Sequence, residues 1–138
     1  MNYEILKPQP FNLKETLNCG QCFRFEEADD GVFCGVVKNK LVKVKEEGDN
    51  LIFFNTTQAE FDLFLCDYFD LKRDYNAINN SIIGNELLTK IIESEKGIRI
   101  LKQEPFEALI SFIISANNNI PRIKKIVNSL CENFGEKI

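Results

Sequence analysis

Three consecutive asparagines, Asn117, Asn118 and Asn119, separate two stretches of unlike helical character, and Arg122, Lys124 and Lys125 follow them closely. Side-chain amides both donate and accept hydrogen bonds, and cations just behind them suit a polyanion. From Ala108 to Cys131 there is no acidic residue, so a locally basic patch sits in a chain whose formal charge is −4, from 21 acids against 17 bases. That balance argues against holding nucleic acid by bulk charge, so any such binding must be local. A plainer reading of the same residues also stands. Asn119 is a good N-cap and Pro121 fits a first helical turn, which is what an ordinary helix junction needs.

Other chemistry is largely excluded. Histidine is absent, which removes His metal sites, Ser-His and Cys-His nucleophile pairs and imidazole acid-base work. The five cysteines, Cys19, Cys22, Cys34, Cys66 and Cys131, form no disulfide framework. Cys19 and Cys22 make one C-x-x-C, but zinc needs a second ligand pair and a redox motif should open a helix, whereas a strand follows here. Both read as packing residues, and no metal or cofactor is called for. The N-terminus lacks the apolar core of a signal peptide and no stretch approaches a membrane span, so the sequence reads as a cytoplasmic, reduced protein, nucleoid-associated if bacterial.

The elements that must position the asparagines are legible from periodicity and turn residues. Met1 to Pro10 reads as an extended lead-in and Phe11 to Leu17 as a strand or a short irregular segment. Short runs rich in Phe, Val and Ile follow at Cys22–Glu26, Val32–Val37, Leu41–Lys45 and Leu51–Phe54. They are separated by Asp29-Asp30-Gly31, Asn39-Lys40 and Gly48-Asp49-Asn50, connections short enough to require antiparallel pairing. Phe23 and Phe25 are expected on one face and Arg24 and Glu26 on the other, as Val42 and Val44 alternate with Lys43 and Lys45. Thr57 to Glu60 is a capping box, and Phe61, Phe64, Leu65 and Tyr68 continue a helix that covers the sheet. Asp74 to Ile82 is a turn or a short helix. Asn85 to Ser94 is an amphipathic helix with Gly97 as its stop. Phe106 to Ala116 carries only Glu107 as a charge and is expected inside a core. Ile120, Ile123, Val127, Leu130 and Phe134 form the apolar stripe of a half-buried last helix, which Gly135 ends. The fold class is therefore α+β, a twisted antiparallel sheet with covering helices over residues 1–102, then two helices over 103–138.

Two segments together resemble the 8-oxoguanine DNA glycosylases, of the helix-hairpin-helix superfamily. N-C-G-Q-C-F-R-F, Asn18 to Phe25, is similar to the family's S-G-Q-x-F-R-W. Q-E-P-F-E-A-L-I-S-F-I-I-S-A-N-N-N-I-P-R-I, Gln103 to Ile123, resembles Q-D-P-x-E-x-L-x-S-F-I-x-S-x-N-N-N-I-x-R-I. The resemblance implies that Gly20 would offer its backbone carbonyl to the lesion, because oxidation at C8 turns guanine N7 from an acceptor into an N–H donor. It implies that Asn117 would enter the gap left by a flipped base and that Arg122 would hydrogen-bond the orphaned cytosine. Gln21, Phe23, Arg24, Asn118 and Asn119 would support them.

The chain departs from the pattern at Phe25, where the family has Trp, and has variants at Ala116 and Pro121. It has no counterpart of the family's hairpin, its nucleophilic lysine or the following aspartate, so no catalytic residue is expected among these residues. The resemblance implies the N-terminal part of a glycosylase/lyase acting on duplex DNA with 8-oxoguanine opposite cytosine, inactive alone and completed by a C-terminal helical portion. The alternatives are a non-enzymatic DNA-binding or interaction module, and a glycosylase for alkylated purines.

Overall fold

Alternation of apolar and charged residues in short runs dictates a sheet with one dry face, and five strands realise it. A computed structural model describes residues 1–138, the side chain of Asp29 excepted. The strands are β1 (Tyr3–Leu6), β2 (Phe25–Glu27), β3 (Val32–Val37), β4 (Lys40–Glu47) and β5 (Asn50–Phe54). All pair antiparallel in the order β1-β5-β4-β3-β2. The lead-in is therefore an edge strand as well, with Tyr3 opposite Phe53. The β3–β4 turn is Lys38-Asn39, one residue earlier than the sequence indicates; both have positive φ, the handedness that fits a twisted two-residue hairpin.

Phe25, Phe33, Val37, Val42, Val44, Leu51 and Phe53 build the dry face. Phe25 lies across Gly35 of the neighbouring strand, where an added Cβ would come within 2.5 Å of the ring. Phe23 does not share that face. It precedes the strand and packs with Ile123 and Val127 in a separate cluster, so the expected alternation begins one residue pair too early.

The cover is the helix expected from the capping box. Thr57 Oγ1 accepts from Glu60 N (3.2 Å) and a Glu60 carboxylate oxygen accepts from Thr57 N (3.0 Å). Helix α2 (Gln58–Glu60) runs through a π turn, Phe61–Leu65, into α3 (Cys66–Tyr68). Phe61 and Phe69 meet Phe53 with ring centroids 5.3 and 5.7 Å apart. Edge-on pairs of this kind add about 0.5–1.5 kcal/mol each beyond the area they bury.

Phe11 to Leu17 is neither strand nor irregular. Helix α1 (Leu13–Asn18) is capped by Asn12, whose side chain accepts from Glu15 N at 2.9 Å, and it buries Leu13 and Leu17 one turn apart. Asp74 caps α4 (Tyr75–Ile82), which settles that segment as a helix. Helix α5 (Glu86–Ser94) forms behind Asn85, but Leu87 and Ile91 on its apolar side stay exposed. Gly97 is not its cap, which is Glu95. At φ +104° Gly97 lies against α1, where a Cβ would stand 2.8 Å from Asn12 N.

Helices α6 (Pro105–Ser115) and α7 (Ile120–Phe134) end the chain. The expectation that α6 is enclosed does not hold. Phe106 is 76% and Phe112 74% exposed, and Ser111 is its buried residue, because α7 and the Arg24 loop cover only one side. The α7 stripe is likewise buried only at Ile123 and Val127, while Phe134 is open. None of the described helices is long and apolar enough to cross a membrane.

Candidate nucleic-acid interface

The asparagine run folds as an elbow, and its three members do different things. Asn119 caps α7, its Oδ1 accepting from Arg122 N at 3.1 Å. Asn118 braces the turn from the other side: Nδ2 donates to Ile114 O (3.0 Å) and Oδ1 accepts from Asn119 N (3.0 Å). Asn117 stands in the left-handed region at φ +51°, which asparagine tolerates better than most residues. It is exposed, and its amide makes no hydrogen bond among the described residues. The junction reading thus holds for two of the asparagines, while the third is presented to solvent.

The cations divide in the same way. Lys124 turns inward and donates to Phe25 O at 2.8 Å, so it tethers α7 to the start of β2. The expected trio of free positive charges is a pair, Arg122 and Lys125, both exposed and without an ion-pair partner among the described residues. They lie three residues apart on one helix, on neighbouring parts of its surface.

Gly20 lies beside the start of α7. It lies in the loop between α1 and β2 with φ +90°, open to a residue without a Cβ, and a Cβ placed there would meet Ile120 Cδ1 at 3.5 Å. Ile120 is the first residue of α7, between Asn117 and Arg122, so the glycine loop and the elbow are in contact.

The residues after Gly20 hold the loop in place. Gln21 Nε2 donates to Thr16 O and to Arg99 O, both at 2.8 Å, and Gln21 Oε1 accepts from Leu101 N at 2.9 Å. Gln103 Nε2 donates to Gln21 O. Cys22 is buried and burial pushes its thiol up to about 12, so it stays neutral and inert. Phe23 inserts between Ile123 and Val127, and Arg24 pairs with Glu107 at 3.2 Å. Every residue from Gly20 to Phe25 therefore joins the sheet, the linker before α6 or the helix pair.

Arg99 is the residue that sequence reasoning missed. It is 0% exposed and bonds main-chain carbonyls from separate segments. An arginine in the linker before α6 gives no signal of burial, because its type normally marks the surface. Gln103 appears in the quoted motif, but its bond to the Gln21 carbonyl becomes visible only in the fold.

The chain as a whole is similar to known proteins. The profile of the 8-oxoguanine DNA glycosylase N-terminal domain family matches residues 4–109. An N-glycosylase/DNA lyase of Saccharomyces cerevisiae is 67% identical over 45 residues, which make up 33% of this chain and 12% of that protein. The N-glycosylase/DNA lyase OGG1 of Arabidopsis thaliana is 27% identical over 119 residues, 82% of this chain and 33% of that one. A solved Clostridium acetobutylicum 8-oxoguanine glycosylase/lyase, in complex with duplex DNA containing cytosine opposite 8-oxoguanine, superposes with a TM-score of 0.90 at 40% identity. That superposition covers 100% of this chain and 50% of the solved one. The chain thus spans half or less of the relatives it matches.

Proposed function

The chain belongs to the 8-oxoguanine DNA glycosylase N-terminal domain family, and from that premise we propose that it supplies the lesion-reading part of a glycosylase/lyase that removes 8-oxoguanine opposite cytosine. The observation that carries the reading is the contact distance of 3.5 Å between the Gly20 Cβ position and Ile120. It supports the reading by bringing the glycine loop beside the start of α7, next to the elbow whose Asn117 amide is not spent on the turn.

On this reading the flipped lesion brings its N7–H to the Gly20 carbonyl oxygen, which accepts it. Unmodified guanine presents a lone pair there instead, and two facing acceptors leave both unsatisfied. Asn117 fills the hole in the base stack, and the Arg122 guanidinium donates to the cytosine left without a partner. Lys125 and Arg122 meet phosphates or bases from one helix flank. The N-glycosidic bond is broken by groups outside these residues, so the chain by itself reads a lesion without removing it.

The same reading gives the exposed apolar sides of α6 and α7 an occupant. Between them runs a groove of about 520 Å³ lined by Phe106, Ile110, Val127, Leu130 and Phe134. The C-terminal helical portion of the same protein covers it, with residues 1–102 and 103–138 as the sheet and helical units. All five cysteines are free, which suits a reducing interior compartment.

The test is binding and cleavage of an 8-oxoguanine:cytosine duplex. The full-length protein containing this chain is expected to nick the lesion strand, the purified chain is expected not to, and Arg122→Ala in the full-length protein is expected to weaken lesion binding without loss of folding. Strand cleavage by the purified chain alone, or equal affinity of the full-length protein for damaged and undamaged duplex, would overturn the proposal.

A further inference from the structure

A glycine that reads a lesion through its carbonyl has a difficulty built into it. Glycine has the widest backbone freedom of any residue, so something else must aim the oxygen. The Gly20 carbonyl belongs to the planar peptide that ends at Gln21 N, and whatever fixes Gln21 therefore fixes the plane of that carbonyl. Gln21 is held through the whole of its carboxamide, to Thr16 O, Arg99 O and Leu101 N, and through its own carbonyl by Gln103. Two of these partners, Arg99 and Leu101, are main chain of the segment that leads into α6.

That segment is set by Arg99. Its guanidinium does not bond the nearby carboxylate of Asp70, which is taken by Tyr75 Oη (2.8 Å) and Arg73 Nε (3.0 Å). Instead Nη1 donates to Asp70 O (2.6 Å) and Arg73 O (3.1 Å), and Nη2 to Pro10 O (3.3 Å). The guanidinium carbon stands 4.3 Å from the Tyr75 ring centroid. Tyr75 Oη in turn accepts from Ile100 N at 2.9 Å. On its other side, Arg99 N donates to Thr16 Oγ1 (3.3 Å) while Arg99 O receives Gln21. A planar fork whose two terminal nitrogens bond three carbonyls, with Nε left without a partner among the described residues, is held in one orientation that a lysine at the same place would not impose.

Resting on the reading of Gly20 given above, we propose that Arg99 is a positioning residue for lesion discrimination: its buried bracket, acting through Gln21, aims the Gly20 carbonyl although it touches no DNA. A side chain that served the fold alone would affect all duplexes equally. A positioning residue affects the ratio between them.

The experiment compares Arg99→Lys, Gln21→Ala and Gly20→Ala in the full-length protein, with folding followed by circular dichroism. Affinities are measured for duplexes carrying 8-oxoguanine, guanine or a tetrahydrofuran abasic analogue opposite cytosine. The expected result is a loss of about tenfold in the 8-oxoguanine to guanine ratio for Arg99→Lys and Gln21→Ala, the size of one hydrogen bond. Affinity for the abasic analogue, which has no base to read, should change less than about threefold on the same scale. An unchanged ratio in folded Arg99→Lys and Gln21→Ala, with the ratio abolished in Gly20→Ala, overturns the inference and leaves the reading of Gly20 intact. An unchanged ratio in Gly20→Ala overturns both. Should Arg99→Lys fail to fold, Gln21→Ala decides the matter, because Gln21 lies in a partly exposed loop and cuts only the last link.

Discussion

The sheet side and the helix pair hold themselves together by opposite means. Around the sheet, Phe25, Phe53, Phe61, Phe64 and Phe69 close a dry core within one continuous stretch of chain. The helix pair has only Phe23, Ile123 and Val127 as its buried cluster, with Ile114 beside it, and leaves Phe106, Phe112 and Phe134 open. Aromatic residues are plentiful in both, so composition does not separate them. What separates them is whether a second layer is present, since a helix apolar all round needs neighbours on every side.

The most severe way to probe this contrast is to remove one ring from each side. Phe53→Ala is expected to cost about 3–5 kcal/mol, as large-to-small changes in a filled core do. Phe112→Ala in the chain as it stands should remain within about 0.5 kcal/mol, as exposed substitutions do. Urea unfolding measures both, and equal losses would show that α6 is enclosed in solution. A middle-sized effect is expected at the seam. Val127→Ala should cost about 2 kcal/mol, expressed as faster amide exchange in α7 with the strands still protected. Simultaneous loss of protection in the strands would mean that the two sides unfold as one.

A smaller effect belongs to the sheet side alone. Thr57→Ala removes the cap of the covering helix and is expected to lower stability by about 1 kcal/mol, read as a shifted urea midpoint. The hydrogen bond from Lys40 and those from Thr57 hold the Glu60 carboxyl at about 2, below its ordinary 4.5. A depressed carboxyl stabilises the folded state above its unfolded value, and that contribution disappears as pH falls from about 4.5 towards 2. The stability difference between the natural chain and Glu60→Gln should therefore shrink over that interval. The amide-exchange rates of α7 should show no such dependence on Glu60.

What the sequence disclosed follows the same division. Period-two alternation, short turns and the Thr57–Glu60 box revealed the sheet and its cover, because those signals are local. The edge strand Tyr3–Leu6 and helix α1 are harder to read, since Pro8 and Pro10 obscure the first and the second, at 6 residues, is too short to show a helical period. At the site, the motifs that carry the family resemblance pointed to Asn117, Arg122 and Gly20. They did not show that Asn118, Asn119 and Lys124 are spent on structure, because bonds such as Lys124 to Phe25 O join residues far apart in the chain. Arg99 lay furthest from view, its role defined by partners at Pro10, Thr16, Gln21 and Asp70.

The ring of Phe25 resting over Gly35 restricts how this protein can change over generations. Any residue larger than glycine at 35 must wait until position 25 has first become small. The permitted order of substitutions is thus fixed by a missing methyl group.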